Sequence, residues 1–170
     1  MTIAEPRLAA VVAEHRATLI LMHSREPMSQ MKGFSQYPEE GYGDVVADVR
    51  SEWRKARARA VEGGLDPADV WFDPGLGFNK NARQSLTLLG RLSEFASEDV
   101  PIVVGASRKS FIGALDNTPP ERRVGGSIAA CLIALRQGAS VVRVHDVEAT
   151  KQALRFTLAA QERSREGAGA

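Results

Sequence analysis

Four short clusters of polar and ionisable residues stand out in this sequence, because each one directly follows a run of apolar residues. A carboxylate beside an aromatic ring suits a flat polar molecule, and neighbouring cations suit an anion such as a phosphate. The clusters are Met22-His23-Ser24-Arg25, Asp73-Pro74-Gly75-Leu76-Gly77-Phe78, Gly105-Ala106-Ser107-Arg108-Lys109-Ser110 and Arg143-Val144-His145-Asp146.

The second cluster allows two interpretations. A lone Asp-Pro-Gly is most simply a turn, in which the carboxylate accepts a backbone N–H and glycine adopts positive φ. Here the motif continues as Gly77-Phe78-Asn79-Lys80-Asn81. We therefore expect Asp73 to bond the edge of a flat polar ring while Phe78 packs nearby.

The third cluster could be a solvated helix start capped by Ser107. However, cations in the first turn of a helix oppose its dipole, and Arg108 and Lys109 are adjacent there. They could instead hold an anion between themselves and free backbone N–H groups. The sequence leaves both interpretations open.

The fourth cluster alternates with period two, which places Arg143 and His145 on one face of a strand and the valines on the other. In a buried strand an unpaired guanidinium is costly and needs an anion. Phosphate matches its planar fork, so the pair predicts a phosphate site. The structural alternative is an ion pair between Arg143 and Asp146.

Other common chemistries find little support. His23 alone is more often a hydrogen-bonded structural residue than a catalyst, and His15 belongs to a helix surface. Three His and one Cys do not form a zinc ligand set, and Cys131 in an apolar run predicts a small buried side chain without a disulfide. Neither a nucleophile-elbow pattern nor a Gly-Lys-Ser/Thr phosphate loop occurs.

Composition predicts a single globular domain: 170 residues, of which 44% are hydrophobic and 25% charged. The net charge of +1 is interleaved along the chain, so neither nucleic acid nor a membrane is an expected partner. The sequence shows no leader or apolar span, and a cytoplasmic location is expected. We expect one domain over residues 1–160 and a flexible tail over residues 161–170.

The elements that would position these clusters form a βα repeat. Strands are expected at residues 18–22, 70–72, 102–104 and 141–144, and helices at 7–14, from Asp44 to Gly63-Gly64, around Leu86, Leu89 and Leu92, at 128–135, and around Leu154 and Leu158. Strands that are apolar on both faces and separated by helices predict an α/β fold with a parallel sheet. The four clusters would then share one site at the carboxyl ends of the strands.

The second, third and fourth clusters, in this order and spacing and with Ile112-Gly113 and Val147, resemble successive signatures of the dihydropteroate synthase family. Met22-His23, Gln30-Met31 and Gly126-Ser127 are similar to it as well, and the resemblance runs from about Glu5 to Phe156. It implies a TIM (β/α)₈ barrel, of which this chain would supply the C-terminal four strand–helix units. It also implies the family's reaction in folate biosynthesis, displacement of diphosphate from 6-hydroxymethyl-7,8-dihydropterin diphosphate by 4-aminobenzoate.

The resemblance also implies roles for individual residues. Asp73 and Lys109 would hold the pterin ring, with Met22 and Phe78 lining its pocket. Arg143 and His145 would bind the diphosphate and, with Lys109, act in catalysis. The remaining expected substrate-binding residues, those near the aminobenzoate included, are Ser107, Arg108, Ser110 and Val144.

A complete barrel has eight strands and about 250 residues. This chain would supply only four strand–helix units, so part of the family pattern is missing. The family's Mg²⁺ is implied, but its metal-binding Asn loop is absent, as are a mobile Arg loop and further pterin-pocket residues. The open sheet edges predict association with an N-terminal half or as a homo-oligomer, and negligible activity alone.

Three origins remain open: a late start codon assigned to a longer gene, which we favour, a split enzyme, or a decayed paralogue retained as a binding or interaction module. The alternative enzyme is a pterin-dependent methyltransferase, which uses a similar barrel. The cations of Ser107-Arg108-Lys109-Ser110 distinguish the two, because they suit an anionic second substrate.

Overall fold

Parallel strands alternating with helices build the part of the chain that the structure, a computed structural model, describes: residues 7–31 and 33–168. The strands are β1 (Leu19–Met22), β2 (Val70–Asp73), β3 (Val103–Val104) and β4 (Val141–Val142). The α-helices are α1 (Arg7–Glu14), α2 (Val45–Glu62), α3 (Ala82–Gly90), α4 (Ser110–Gly113), α5 (Val124–Arg136) and α6 (Val147–Ala168). Short 3-10 helices lie at Met28–Gln30, Glu39–Gly41, Pro67–Asp69, Leu92–Glu98 and Pro120–Arg122.

The strands are parallel, and their order in space follows their order in the chain. β1 pairs with β2 from Leu19↔Val70 to Met22↔Asp73, and β3 pairs with β4 through Val103↔Val141 and Val104↔Val142. A single parallel bridge, Phe72↔Ile102, joins the two pairs. The predicted α/β class with parallel strands is therefore confirmed.

Helix α2 shows how the sequence fixes an element. Asp44 caps it by accepting hydrogen bonds from Val46 N and Ala47 N, and the helix ends at Gly63. Its predicted apolar face is buried as expected: Val45, Val46, Val49, Trp53, Ala56 and Ala60.

The core below the site is aromatic. The Trp53 and Phe72 ring centroids lie 5.0 Å apart at 71°, and the Phe72 and Phe95 centroids 4.6 Å apart. Trp53 Nε1 donates to Leu21 O over 3.0 Å. Helix α2 therefore holds β1 and β2 through both ring packing and a buried hydrogen bond.

The buried face of α3 differs from the expected one. A capping box between Asn81 and Gln84 fixes the start of the helix and turns Leu88 and Leu89 inward, whereas Leu86 is 37% exposed. Leu92 is buried but belongs to the following 3-10 helix. The expected triad was wrong because several apolar residues at this spacing define more than one possible face.

Helix α6 continues to Ala168, through most of the segment that composition assigns to a flexible tail. Residues 162–167 include Glu and Arg, which have high helix propensity and extend the helix. Residues 169–170 lie outside the described part of the chain, as does the start of the predicted domain at residues 1–6.

The outer strands β1 and β4 each pair with one strand only among the described residues. Ile20 on β1 is 48% exposed and Val141 on β4 is also exposed. The sheet thus presents apolar residues at both lateral edges. Within residues 7–31 and 33–168 no helix is both long enough and apolar enough to span a membrane.

Candidate functional site at the carboxyl ends of the strands

Direct hydrogen bonds connect the four polar clusters at one edge of the sheet. His23 N donates to Asp73 O over 2.9 Å, which joins the ends of β1 and β2. Lys109 Nζ donates to Leu76 O across to the β2 loop, and His145 N donates to Ser107 Oγ over 3.1 Å. The expectation that parallel strands bring these clusters together is met.

Asp73 ends β2 and is only 7% exposed. Its Oδ1 accepts the N–H of Gly75 over 2.8 Å, so the simple turn interpretation is right for this oxygen. Burial raises the pKa of Asp73. The hydrogen bond from the Gly75 N–H and the positive charges of Lys109, Arg143 and Lys80 act in the opposite direction and lower it. Oδ2 has no hydrogen bond among the residues that the structure describes, which leaves it for a ligand.

Gly75 makes the tight turn possible. Its φ is +65°, and a Cβ on this residue would lie 2.0 Å from His23 O. We expect Gly75→Ala to lower the free energy of unfolding by about 3 kcal/mol, because backbone must shift as well as adopt a left-handed conformation.

The matched control for Gly75→Ala is Gly125→Ala in helix α5, where an added Cβ meets no atom within 4 Å. We expect that variant to gain about 0.5–1 kcal/mol, since alanine favours the helix. Denaturant unfolding of both variants measures the difference. Equal stability of the two would contradict the assigned turn geometry.

Lys109 brings a cation to Asp73 and Phe78. Its Nζ lies 4.3 Å from the Phe78 ring centroid, within cation–π range. Burial lowers the pKa of Lys109 to about 8. The negative charge of Asp73 opposes this shift, and the positive charge of Arg143 adds to it. Phe34 packs edge-on against Phe78, with ring centroids 5.6 Å apart. A carboxylate, an ammonium and an aromatic ring therefore meet at one place.

Met22 lies beside this group. It is the last residue of β1, is half-buried, and pairs in register with Asp73. Its Cγ is 3.3 Å from the position that a Cβ on Gly75 would take. The structure thus places Met22 against the turn that carries Asp73.

Ser107 does not cap a helix, contrary to one of the two interpretations of its cluster. It is buried, and its Oγ accepts from His145 N and lies 3.1 Å from His145 Nδ1. Helix α4 starts only at Ser110, after Lys109, and has no side-chain cap. Pairing of β3 with β4 brings Ser107 to His145, so the hydroxyl orients that ring.

Arg108 and Ser110 point to different partners. Arg108 donates through Nε and Nη2 to Asp146, at 3.0 Å and 2.5 Å. Ser110 Oγ is 2.7 Å from Ser35 Oγ. The Arg108 fork is therefore occupied by a carboxylate of the chain itself.

Arg143 corrects two expectations. Its alternation with Val144 holds, because Arg143 and His145 are exposed and Val144 is half-buried. However, Arg143 is not buried, since β4 is an edge strand, and Asp146 pairs with Arg108 rather than with Arg143. The Arg143 guanidinium lies over Gly105, 3.0 Å from the position of an added Cβ.

A buried network behind Asp73 was not predicted. Lys80 is fully buried and donates to His23 Nδ1 over 3.0 Å, and His23 Nε2 donates to Glu52 over 2.9 Å. Burial lowers the pKa of His23 to about 4 and that of Lys80 to about 7, whereas the hydrogen bond from His23 lowers the pKa of Glu52 to about 2. His23 is thus a hydrogen-bonded neutral residue. The sequence does not indicate the network, because His23 and Lys80 are neighbours only in the folded protein.

Stability should fall on acidification through His23. Its pKa is about 4 when folded and 6.5 ordinarily, so between these values the unfolded chain binds the extra proton. We expect a loss of about 2 kcal/mol between pH 7 and pH 5. Below about pH 4.5 the paired Glu52 adds a further loss, because its folded pKa is also depressed.

Urea unfolding at both pH values measures this loss. In His23→Gln the loss of unfolding free energy between the two pH values should be much smaller. In His15→Gln, a change at the exposed end of α1, the loss should stay the same. An unchanged pH dependence in His23→Gln would contradict the assignment.

A parallel α/β sheet with a carboxylate, an ammonium and an aromatic ring at its carboxyl edge is typical of a protein that binds a flat polar molecule. The family model for pterin binding enzymes matches residues 1–145. The chain belongs to this pterin-binding enzyme family.

The relatives that the chain matches include dihydropteroate synthases. That of Synechocystis sp. is 42% identical over 149 residues, covering 87% of this chain and 50% of the relative. That of Escherichia coli K12 is 38% identical over 167 residues, covering 96% and 57%. The chain therefore spans about half the length of these relatives, and the resemblance stated from its motifs is confirmed.

Solved structures agree. The Xanthomonas albilineans dihydropteroate synthase in complex with 7,8-dihydropteroate matches 94% of this chain and 56% of its own, with a TM-score of 0.81 at 36% identity. The Yersinia pestis enzyme in a sulfonamide drug complex matches the same shares with a TM-score of 0.84 at 34% identity.

Proposed function

We propose that this chain supplies the C-terminal four strand–helix units of a dihydropteroate synthase TIM barrel, with part of its pterin and diphosphate sites. The observation that carries the proposal is the meeting of Asp73, Lys109 and Phe78 at the carboxyl edge of the sheet. That group occurs in a chain that is 42% identical to one such synthase and 38% identical to another.

The three residues suit a pterin. An ionised Asp73 accepts hydrogen bonds from the amino and N–H groups along one edge of the ring, through the oxygen that the turn leaves open. Phe78 packs on the ring, and Lys109 donates to a ring acceptor from its position over Phe78. Met22 closes the side next to β1.

Arg143 and His145 suit the diphosphate. Both side chains are exposed at the end of β4, and Ser107 orients the His145 ring. The arylamine nitrogen attacks the pterin methylene carbon, the C–O bond breaks, and diphosphate leaves with the bonding electrons, while the amine loses a proton. Charge grows on the leaving oxygen, so these two cationic or donor groups stabilise the transition state more than the ground state.

The second substrate is 4-aminobenzoate, which is present in a solved structure of the Xanthomonas albilineans enzyme. We assign it to the side of the site that Ser110 and Lys109 border. The Arg108 guanidinium is held by Asp146, so its fork is not free to bind the carboxylate of this substrate.

Mg²⁺ does not fit the residues present. Among residues 7–31 and 33–168 no three His, Cys, Asp or Glu side chains are grouped to hold a metal ion. By the family resemblance the metal would assist the leaving group from a loop outside this chain, so no step here depends on it.

The test is an assay of the completed barrel with pterin diphosphate and 4-aminobenzoate, with 7,8-dihydropteroate as the expected product. Methyl transfer from methyltetrahydrofolate in place of this product would favour the methyltransferase alternative. Pterin binding without any product would favour a binding module.

A further inference from the structure

Lys80 is a fully buried cation inside the loop that follows β2. Its ammonium donates to Phe78 O over 2.9 Å, to His23 Nδ1 over 3.0 Å and to Gly75 O over 3.1 Å. All three N–H bonds of the ammonium therefore have a partner inside the protein. Withdrawing a cation from water is costly unless its donors are satisfied, as those of Lys80 are here.

The geometry fixed is that of the ring-binding loop. Two acceptors of Lys80, Gly75 O and Phe78 O, lie at the ends of the turn between Asp73 and the aromatic ring, and Phe78 N also donates to Gly75 O over 3.0 Å. Lys80 thus closes the loop from its far end. Its third bond, to His23, attaches the loop to the end of β1.

Further residues hold this clamp on the side away from the site. His23 Nε2 donates to Glu52, whose carboxylate also accepts from Arg25 Nε and Nη2, at 3.0 Å and 2.6 Å. The Arg25 guanidinium lies 3.7 Å from the Tyr42 ring centroid, and Tyr42 Oη donates to Asn79 O. The segment that carries Lys80 is therefore fixed by a chain of charged groups running from the core to the surface.

Lys80 also acts on the charge of Asp73. Burial raises the pKa of Asp73, and the positive charge of Lys80 is one of the groups that oppose this rise. An ionised Asp73 is the form that accepts two hydrogen bonds from a ring edge. The same ammonium therefore favours both the position and the ionised form of the ring-binding carboxylate.

We propose that Lys80 is a positioning residue for the pterin: held by His23 and Glu52, it fixes the Gly75–Phe78 turn so that Asp73 and Phe78 receive the ring. This inference rests on the proposed function, because it names what determines pterin affinity at that same site. A residue that only stabilises the fold would affect both substrates and thermal stability alike.

The experiment uses the completed, active protein with Lys80→Met, which keeps the length of the side chain and removes the donors. We expect the Kd for the pterin to rise about 10- to 100-fold, the loss associated with charged hydrogen bonds. The KM for 4-aminobenzoate at saturating pterin should stay within about twofold. Lys55→Met, the same change on the exposed face of α2, is the control and should leave both constants unchanged.

Two further measurements keep the test decisive. Amide exchange at Gly75 and Phe78 should quicken in Lys80→Met but not in Lys55→Met. If Lys80→Met does not fold, Glu52→Gln keeps an acceptor for His23 and removes the charge, and should weaken pterin binding about threefold or more. Unchanged pterin affinity in both variants would overturn the proposal, as would equal losses for the two substrates. Absence of pterin binding by the unsubstituted protein would instead overturn the proposed function.

Discussion

The chain alone is expected to form 7,8-dihydropteroate at least about 10³-fold more slowly than the completed barrel, because one removed group of transition-state donors already costs that much. The chain spans about half the length of the dihydropteroate synthases it matches, and among the described residues β1 and β4 each have an open lateral edge. Supplying an N-terminal half in trans should restore turnover, since each part covers the apolar edge of the other.

The measurement is product formation by the purified chain and by the chain co-expressed with the N-terminal part of the Escherichia coli relative. This relative is 38% identical to the chain over the region that the two share. Asp73→Asn in the same mixture is the control and should abolish the restored rate. Comparable turnover by the chain alone would show that four strand–helix units suffice. Two soluble halves that fail to co-purify would contradict the assigned edges.

Arg143→Ala in the completed protein is expected to reduce transition-state stabilisation by about 2–4 kcal/mol, which lowers kcat/KM roughly 30- to 1000-fold. The guanidinium is exposed, lies over Gly105 at the site, and is not paired with Asp146. Its removal therefore takes away a contact to the leaving diphosphate rather than a buried ion pair. Arg143→Lys keeps the charge without the planar fork and should lose less.

Steady-state kinetics and a thermal melt separate the two possible roles of Arg143. The Tm should change little in either variant, because an exposed guanidinium contributes little to folding. Arg155→Ala, on the exposed surface of α6, is the matched control and should leave kcat/KM unchanged. A lowered Tm with unchanged kcat/KM would show that Arg143 is structural.

The parts of the fold that follow from local signals could be predicted from the sequence. Helix α2 is marked at its start by Asp44 and at its end by Gly63, and its apolar face repeats with helical period. The ends of the first three strands were predicted to within one residue, whereas β4 ends at Val142 instead of continuing to Val144. Parallel topology then brings Asp73, Ser107 and Arg143 to one edge without further information.

The rest depends on which residues meet across the fold. Lys80 has no local signal of burial, since its partner His23 lies 57 positions earlier and Glu52 comes from α2. Arg108 could have paired with any anion, and only the contact between β3 and β4 selects Asp146. The exposure of Arg143 follows from the edge position of β4, which alternation along one strand cannot reveal.

The order β1-β2-β3-β4 also bears on how the chain folds as it is synthesised. Each strand pairs with the strand translated just before it, so β1 and β2 can pair once residue 73 has left the ribosome, before β3 exists. The three pairings enclose crossovers of 47, 29 and 36 residues in turn, and the entropy cost of closing such a loop rises only slowly with its length. Because each strand pairs with its neighbour in the chain, a gene break between two strand–helix units would separate the sheet at a single strand contact and leave the pairings inside each fragment intact.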